Sequence, residues 1–196
     1  MQRENMTRKE QAEKTKKALF ESALMLLEQQ DYETIKVRDI VRAANVSIGS
    51  FYNYYTTKLD VYYETYVLAD RFFEETVAPL LTQPTLRERL LFFFDYYARY
   101  SSDITSIKLT KLLYNSENKC FNRRSEIGMR PVLIRTLQWG IEQGALRQGS
   151  DTAEEIAAFL MNAVHGLVYG WCIEDGAFDL RQAMTRYVDT LLRCFL

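Results

Sequence analysis

Proline, glycine, cysteine and histidine are all scarce in this chain of 196 residues. Three prolines and eight glycines leave few positions at which a helix has to stop, and no strand-like alternation of apolar and polar residues is sustained. A hydrophobic content of 47% with 26% charged residues is typical of a globular protein. The sequence therefore predicts an all-α fold.

The shortage of histidine and cysteine argues against catalytic and metal sites. One histidine, His165, and three widely spaced cysteines cannot assemble a Ser/His/Asp set, a Cys/His pair or the ligand spacing of a zinc site. We therefore predict no enzymatic activity, no cofactor and no metal. Cys120, Cys172 and Cys194 are expected to be reduced, with redox sensing by Cys120 as the minority alternative.

Long apolar runs are also missing. No apolar stretch approaches the roughly 20 residues that are needed to cross a membrane. Residues 1–17 are charged throughout and lack the apolar segment of a signal peptide. We expect a cytoplasmic protein with no membrane partner.

Hydrophobic periodicity and capping signals place the helices. Thr57 with Asp60, and Thr85 with Glu88, have the spacing of a capping box. Residues 115–125 and 145–150 are predicted to be connecting segments. The predicted helices cover residues of about 7–30, 57–78, 85–100, 104–114, 131–144, 152–174 and 179–196, with two short helices between residues 31 and 58.

The two short helices are the most informative part of the chain. Val37, Ile40 and Val41 give the first one an apolar face. Asn45 tolerates the left-handed backbone of a sharp turn, and Ser47 is a good N-cap for a second helix that runs to about residue 55.

Phe51 and Tyr55 face inward on this second helix because they are spaced i and i+4. A surface rich in hydroxyl and aromatic groups remains, which a buried core would not require. An ordinary αα-hairpin explains the apolar spacing but not this surface, so we interpret the segment as a DNA-reading head. Basic residues at the start of the first helix could contact a phosphate backbone: Arg8, Lys9, Lys14, Lys16 and Lys17.

The segment resembles the N-terminal DNA-binding domain of the tetracycline-repressor-like (TetR/AcrR) transcriptional regulators over roughly residues 10 to 60. Asp31 and Asn45 stand where glycine is usual, Val41 replaces an alanine, and Lys36 replaces a frequent capping Ser or Thr. The residues that carry the resemblance are Tyr32, Thr34, Val37, Arg38, Ile40, Ala43, Ala44, Val46, Ser47, Gly49, Phe51, Tyr52, Tyr54 and Lys58.

The resemblance implies an N-terminal three-helix helix-turn-helix DNA-binding domain, residues 1–56, joined by a long helix to a helical ligand-binding and dimerisation domain, residues 57–196. It also implies a homodimeric repressor that a small, apolar or aromatic effector releases from a palindromic operator in double-stranded DNA. The alternative is a dimeric helical module that binds a small molecule or a protein without reading DNA. We expect Ile48, Gly49 and Ser50 to reach base edges, and Tyr52, Asn53, Tyr54 and Lys58 to contact mainly phosphates. Arg38 could reach either, and Ser47 completes the predicted DNA-binding set.

The last two helices carry apolar stripes that suggest a four-helix dimer interface, although both stripes could also pack on their own core. The predicted interface residues are Ile156, Leu160, Ala163, Leu167, Gly170, Leu180, Met184, Tyr187 and Leu191. The resemblance further implies an effector pocket in the larger domain, although each candidate residue is of a kind that is more often part of the core than a ligand contact. The candidates are Tyr66, Phe73, Phe94, Tyr97, Tyr114, Trp139, Asn162, His165 and Tyr169.

Overall fold

The computed structural model describes residues 7–115, 128–146 and 151–196, and the regular structure in these ranges is entirely helical, as the sequence predicts. The α-helices are α1 (Arg8–Gln29), α2 (Val37–Ala43), α3 (Ile48–Tyr52), α4 (Lys58–Tyr62), α5 (Glu64–Phe72), α6 (Leu86–Arg99), α7 (Ile107–Leu113), α8 (Met129–Glu142), α9 (Ala153–Ile173) and α10 (Leu180–Leu192). These ranges also contain two π-helical segments, Phe73–Val77 and Tyr100–Ile104, and a 3-10 turn, Ala78–Leu80.

The chain forms two compact units, which we call unit 1 (Met1–Thr65) and unit 2 (Tyr66–Leu196). The domain boundary that the sequence suggested, between residues 56 and 57, falls inside unit 1, between α3 and α4. The division of functions between residues 1–56 and 57–196 stays a prediction.

In the described part of unit 1, α1, α2, α3 and α4 pack around one small core. Leu19 and Ala23 of α1, Ile40 of α2, Phe51 of α3 and Tyr62 of α4 are fully buried there. The hydroxyl of Tyr62 donates to the main-chain carbonyl of Ala23 at 3.1 Å, which fixes α4 against α1. A buried hydroxyl that finds a partner avoids the cost of desolvation without a hydrogen bond.

The sequence predicted one continuous helix over residues 57–78, and this prediction is wrong because the structure has separate helices there. The Thr57–Asp60 capping box is confirmed, but α4 ends at Tyr62 because Tyr63 adopts a flattened ψ of −13°. Beyond α5 the chain widens into the π-helical segment and then tightens into the 3-10 turn that contains Pro79. Apolar periodicity is insensitive to such departures of one residue.

Unit 2 is built around α6, which begins at the predicted capping box of Thr85 and Glu88. The buried face of α6 contacts α8 and α10, and α9 lies against α8 and α10. The core side chains from these four helices include Leu90, Phe93, Phe94, Leu133, Leu137, Leu160, Val164, Met184 and Val188. Aromatic rings such as those of α6 contribute much of the apolar area that stabilises a core of this kind.

The helix predicted for residues 104–114 begins later, because a π-helical segment precedes it. Ser106 N-caps α7 by accepting from the backbone N–H of Leu109. The hydroxyl of Thr110 donates to the carbonyl of Ser101 at 2.9 Å, and that of Thr105 donates to the carbonyl of Tyr100 at 2.8 Å. These bonds satisfy carbonyls that a continuous helix would have paired internally.

Helix α8 agrees with its prediction at both ends. Pro131 lies in the first turn, and Gly144 has a φ of 66° just beyond the last turn, where the N–H of Ala145 donates to the carbonyl of Gly140 at 2.9 Å. The predicted connecting segments 115–125 and 145–150, apart from residues 115, 145 and 146, lie outside the described residues, and so does Cys120.

Helix α9 corrects the expectation about apolar runs. It has 21 residues and a window of mean hydropathy 1.5, so by length and composition it could cross a membrane. In the structure, Ile156, Leu160, Val164 and Val168 of α9 are buried in the core of unit 2. A core helix of a soluble protein has the same length and composition, so this helix is weak support for a membrane span.

Candidate nucleic-acid interface

The turn between α2 and α3 forms as the local sequence predicts. Asn45 has a φ of 53°, in the left-handed region, and the N–H of Val46 donates to the carbonyl of Val41 at 3.0 Å. The hydroxyl of Ser47 accepts from the backbone N–H of Ser50 at 3.0 Å and so N-caps α3. These contacts fix the angle at which α3 leaves α2.

Helix α3 has one buried face and one exposed face. Phe51 and the following Tyr55 are buried, as predicted, although the helix ends at Tyr52 rather than near residue 55. On the other face, Ile48 is 52% exposed, Tyr52 is 56% exposed and Tyr54 is 36% exposed. Large apolar and aromatic side chains held together in water on one short helix indicate a surface that binds a partner.

Gly49 lies in the middle of this exposed face. A Cβ built on Gly49 would meet only the hydroxyl oxygen of Ser47, at 3.7 Å, which is an ordinary van der Waals contact. The fold of unit 1 therefore has room for alanine at this position. Glycine costs a helix roughly 1 kcal/mol relative to alanine, so its presence is better explained by something that approaches the helix from outside.

Polar groups surround Gly49 on the same surface. The hydroxyl oxygens of Ser47 and Ser50 lie 2.9 Å apart. Asn53 caps the C-terminus of α3, where its N–H donates to the carbonyl of Gly49 at 3.2 Å, and its side chain is exposed. Arg38 is exposed on α2. These groups supply donors and acceptors for base edges and phosphates.

Lys58 is placed differently from its predicted role as a phosphate contact. Its ammonium nitrogen donates to the carbonyls of Tyr32 at 2.5 Å and Ile35 at 2.9 Å, and it lies 3.7 Å from the centre of the Tyr32 ring. Burial lowers the pKa of Lys58 from its ordinary value. In the free protein this side chain therefore serves intramolecular contacts.

A carboxylate of the chain itself also lies at the N-terminus of α4. The carboxylate of Asp60 accepts from the backbone N–H groups of Thr56 at 2.9 Å and Thr57 at 2.7 Å. The positive end of α4, which the sequence suggested as a phosphate site, is thus capped by a carboxylate of the same unit.

Unit 2 brings together part of the predicted effector set. The hydroxyls of Tyr97 and Tyr114 are 2.6 Å apart, and the His165 ring lies 6.1 Å and 5.9 Å from their ring centres. Phe94 contacts Tyr97 with ring centres 6.4 Å apart, and the Tyr66 hydroxyl donates to the main chain beside Tyr114. Burial lowers the pKa of His165 to about 4, so the ring is neutral at physiological pH.

Tyr114 also lines an open groove of about 250 Å³ between α7 and α9. Burial raises the pKa of the Cys172 thiol in this groove to about 11, so the thiol is protonated. Tyr169, Cys172 and Ile173 share one face of α9 because they are spaced by three and four residues. The sequence analysis named only Tyr169, and this spacing was a signal that could have identified Cys172 and Ile173 as its neighbours in the groove. The groove is lined by Lys111, Tyr114, Asn115, Tyr169, Cys172 and Ile173.

Three effector candidates lie elsewhere. Trp139 stacks beneath the guanidinium of Arg89, which is 3.5 Å from the ring centre. Phe73 is a core residue whose ring packs 4.9 Å from that of Phe93. Asn162 is exposed on α9. For these three positions the effector role stays a prediction, because residue type alone does not show which side of a helix faces a cavity.

Four of the predicted interface residues lie in the core of the single chain. Ile156, Leu160, Leu180 and Met184 are buried there, and their role in the interface stays a prediction. A core stripe and an interface stripe have the same helical spacing, which is why the sequence did not separate them. The other predicted interface residues are half-buried or exposed, and the interface stays a prediction for them: Ala163, Leu167, Gly170, Tyr187 and Leu191.

A second stripe of α9 faces outward. Phe159 is 47% exposed, Tyr169 50% and Ile173 64%, and Gly166 lies between them at helical spacing. A Cβ on Gly166 or on Gly170 would have no neighbour within 4 Å. This face offers a smooth apolar surface on which another helix could pack closely.

Comparison with known proteins gives a consistent result. Residues 19–64 match the model of bacterial regulatory proteins of the tetR family. The chain is 28% identical to the probable acrEF/envCD operon repressor of Escherichia coli (strain K12), over 96% of this chain and 90% of the repressor.

Solved structures share the fold. The transcriptional regulator FadR from Bacillus subtilis, in complex with stearoyl-CoA, aligns with a TM-score of 0.71 and 20% identity, covering 90% of this chain and 96% of FadR. NalD, the secondary repressor of the MexAB-OprM multidrug efflux pump in Pseudomonas aeruginosa, aligns with a TM-score of 0.67 and 17% identity, covering 95% and 98%.

Proposed function

Because the chain belongs to the TetR/AcrR family of ligand-responsive, DNA-binding transcriptional repressors, we propose that it reads a palindromic operator as a homodimer through the exposed face of α3. Regulators of this family bind operator DNA, respond to small molecules and are generally not enzymes. The observation that carries the proposal is the combination of Gly49, which the fold does not require, with exposed Ile48 and Tyr52 on either side of it.

In this proposal α3 enters the major groove, and its three residues nearest the N-terminus face base edges. Without a side chain at Gly49, the helix backbone can approach the bases closely. Ile48 offers apolar contact to a thymine methyl group, and the hydroxyl of Ser50 hydrogen-bonds to base edges. Specificity is expected to come mainly from these contacts.

Contacts to the sugar-phosphate backbone would hold the helix in register. Tyr52, Asn53 and Tyr54 follow the base-reading residues and are exposed, so their hydroxyl and amide groups suit phosphate oxygens. Arg38 on α2 is exposed and could reach a phosphate or a base. Salt should weaken binding in proportion to the number of phosphates that are contacted.

The second chain is proposed to pack on the outward stripe of α9 and the exposed part of α10. A two-fold axis would present two copies of α3 to half-sites about 34 Å apart, or a multiple of that distance. A palindromic operator follows from this symmetry.

The effector is proposed to be a small molecule with an apolar or aromatic body that binds beside Tyr97, Tyr114 and His165. The B. subtilis regulator of similar fold binds stearoyl-CoA, which has a long apolar chain. In our chain the open groove leads to Tyr114, whose hydroxyl meets that of Tyr97. A coupling free energy of about 1–3 kcal/mol between effector and operator would be sufficient for regulation.

Selection of bound duplexes from a random pool tests this function. We expect enrichment of an inverted repeat, followed by release of the protein from that duplex by an apolar or aromatic effector in a ligand screen. Retention of every sequence to the same extent would contradict the proposal and favour a dimeric helical module that does not read DNA.

A further inference from the structure

Lys58 is the first residue of α4, and its side chain reaches back across unit 1 rather than outward. The two carbonyls that its ammonium contacts belong to Tyr32 and Ile35, which precede it in sequence by 26 and 23 residues. Both lie in the segment between α1 and α2. The contact therefore joins the start of α4 to the start of the helix-turn-helix.

The ammonium has few directions left for another acceptor. A lysine carries three N–H donors and no acceptor. Two carbonyl oxygens, at 2.5 Å and 2.9 Å, and the Tyr32 ring face, at 3.7 Å, account for three directions. A cation over an aromatic ring is stabilised further when it is partly removed from water, as Lys58 is.

The surrounding contacts make this connection stiff. The Tyr32 ring meets the ring of Tyr62 edge to face with centres 5.6 Å apart, and Tyr62 in turn bonds to the carbonyl of Ala23 on α1. Ile35 is fully buried and directly precedes Lys36, the N-cap of α2. Loss of the Lys58 contact would therefore affect the N-terminus of α2 directly, because Ile35, whose carbonyl Lys58 contacts, is the neighbour of the N-cap residue.

We propose that Lys58 is a positioning residue for operator binding: by clamping α4 to the carbonyls of Tyr32 and Ile35, it sets the orientation in which α2 and α3 meet DNA, and it contacts no phosphate. This inference rests on the proposed DNA-binding function. It differs from the phosphate role that the sequence suggested for the same residue.

The salt dependence of operator binding separates the two roles. Lys58→Met keeps most of the aliphatic stem and removes the charge and the donors. A positioning role predicts affinity reduced about tenfold at every salt concentration, with an unchanged slope of log affinity against log salt. A phosphate role predicts a slope that is shallower by about 0.9 for each phosphate that the variant no longer neutralises, or about 1.8 for a dimer.

Lys108→Met is the matched control, because it removes the same charge from an exposed position of α7 in unit 2. It should change neither affinity nor slope. Binding of the unmodified protein separates the failure of the proposed DNA-binding function from the failure of the positioning role. If the unmodified protein shows no sequence-specific binding, the DNA-binding function itself fails. If it binds and Lys58→Met has the shallower slope, only the positioning role is overturned.

Amide hydrogen exchange of the full-length free protein gives a second readout that does not depend on DNA. In Lys58→Met we expect faster exchange in residues 32–40 and unchanged exchange in α9. Tyr32→Leu, which removes the ring face but keeps the carbonyl, should reduce affinity without changing the slope. The double variant should lose less affinity than the sum of the two single losses, because both act through one clamp. Additive losses with unchanged exchange would contradict the proposal.

Discussion

The hydroxyl oxygens of Tyr97 and Tyr114 lie 2.6 Å apart inside unit 2, so each is the hydrogen-bond partner of the other. Burial raises the pKa of both phenols, which stay protonated, and one donates to the other. Removing either hydroxyl removes this hydrogen bond.

We predict that Tyr97→Phe and Tyr114→Phe each lower the free energy of unfolding by about 1–2 kcal/mol. The double variant should lose less than the sum, with a coupling of at least about 0.5 kcal/mol, because each single change already removes the hydrogen bond that the two hydroxyls share. Urea denaturation of the three variants measures this. Strict additivity would show that the two hydroxyls act independently.

The neutral His165 ring makes stability depend on pH. Its pKa is about 4 in the folded chain, below the ordinary value of 6.5, so the unfolded chain binds more protons between these limits. Stability from this residue is therefore complete above about pH 6.5 and decreases as the pH falls toward 4. The loss is at most about 3 kcal/mol.

His165→Gln provides the control for this effect, since glutamine does not titrate. Carboxylates that lose their partners in acid affect both proteins equally, so the difference between parent and variant isolates the ring. We expect the parent to lose more stability than the variant between pH 6.5 and 4. If stability fell with pH to the same extent in the parent and in His165→Gln, this would contradict a neutral, buried His165 ring.

Gly140 is required by packing. A Cβ at this position of α8 would overlap the buried side chain of Leu86 on α6, with the Leu86 Cγ at 2.9 Å. Gly140→Ala should therefore lower the free energy of unfolding by about 1–3 kcal/mol despite its gain in helix propensity. Thermal unfolding measures it, and an unchanged midpoint would show that Leu86 can move aside.

Gly166 tests the proposed dimer. Gly166→Arg places a long charged side chain on the outward stripe of α9, where the single chain has open space. We predict that it reduces dimerisation while the helical content is retained. Gln138→Arg, at an exposed position of α8, is the control and should leave the dimer intact. Analytical ultracentrifugation with circular dichroism decides between these results, and an unaltered dimer in Gly166→Arg would place the interface elsewhere.

The head could be predicted from sequence largely because its signals are local. The left-handed backbone of Asn45 and the cap at Ser47 depend on their own neighbours, and the structure contains both. The helical repeat also identified Phe51 as buried and left Ile48 and Tyr52 outside. Physical rules that act over three or four residues are sufficient at this point of the chain.

Contacts between distant residues could not be predicted in the same way. The carbonyls that accept from Lys58 belong to Ile35 and Tyr32, which lie 23 and 26 positions earlier in the chain, and the packing of unit 1 brings them near. Leu160 and Leu167 occur in one apolar stripe of α9, yet the first is buried in the core and the second only partly so. Apolar spacing is the same whether a helix meets its own chain or another.

The most direct test is a parallel measurement of folding and operator affinity in Gly49→Ala. Since the added methyl group fits within unit 1, the variant should unfold at the same temperature as the parent or at a slightly higher one. The expected gain in the free energy of unfolding is at most about 1 kcal/mol. Its affinity for the selected operator should fall at least about tenfold, because the methyl group blocks the approach of α3 to the bases. An unchanged affinity in the folded variant would contradict the assignment of α3 to the major groove.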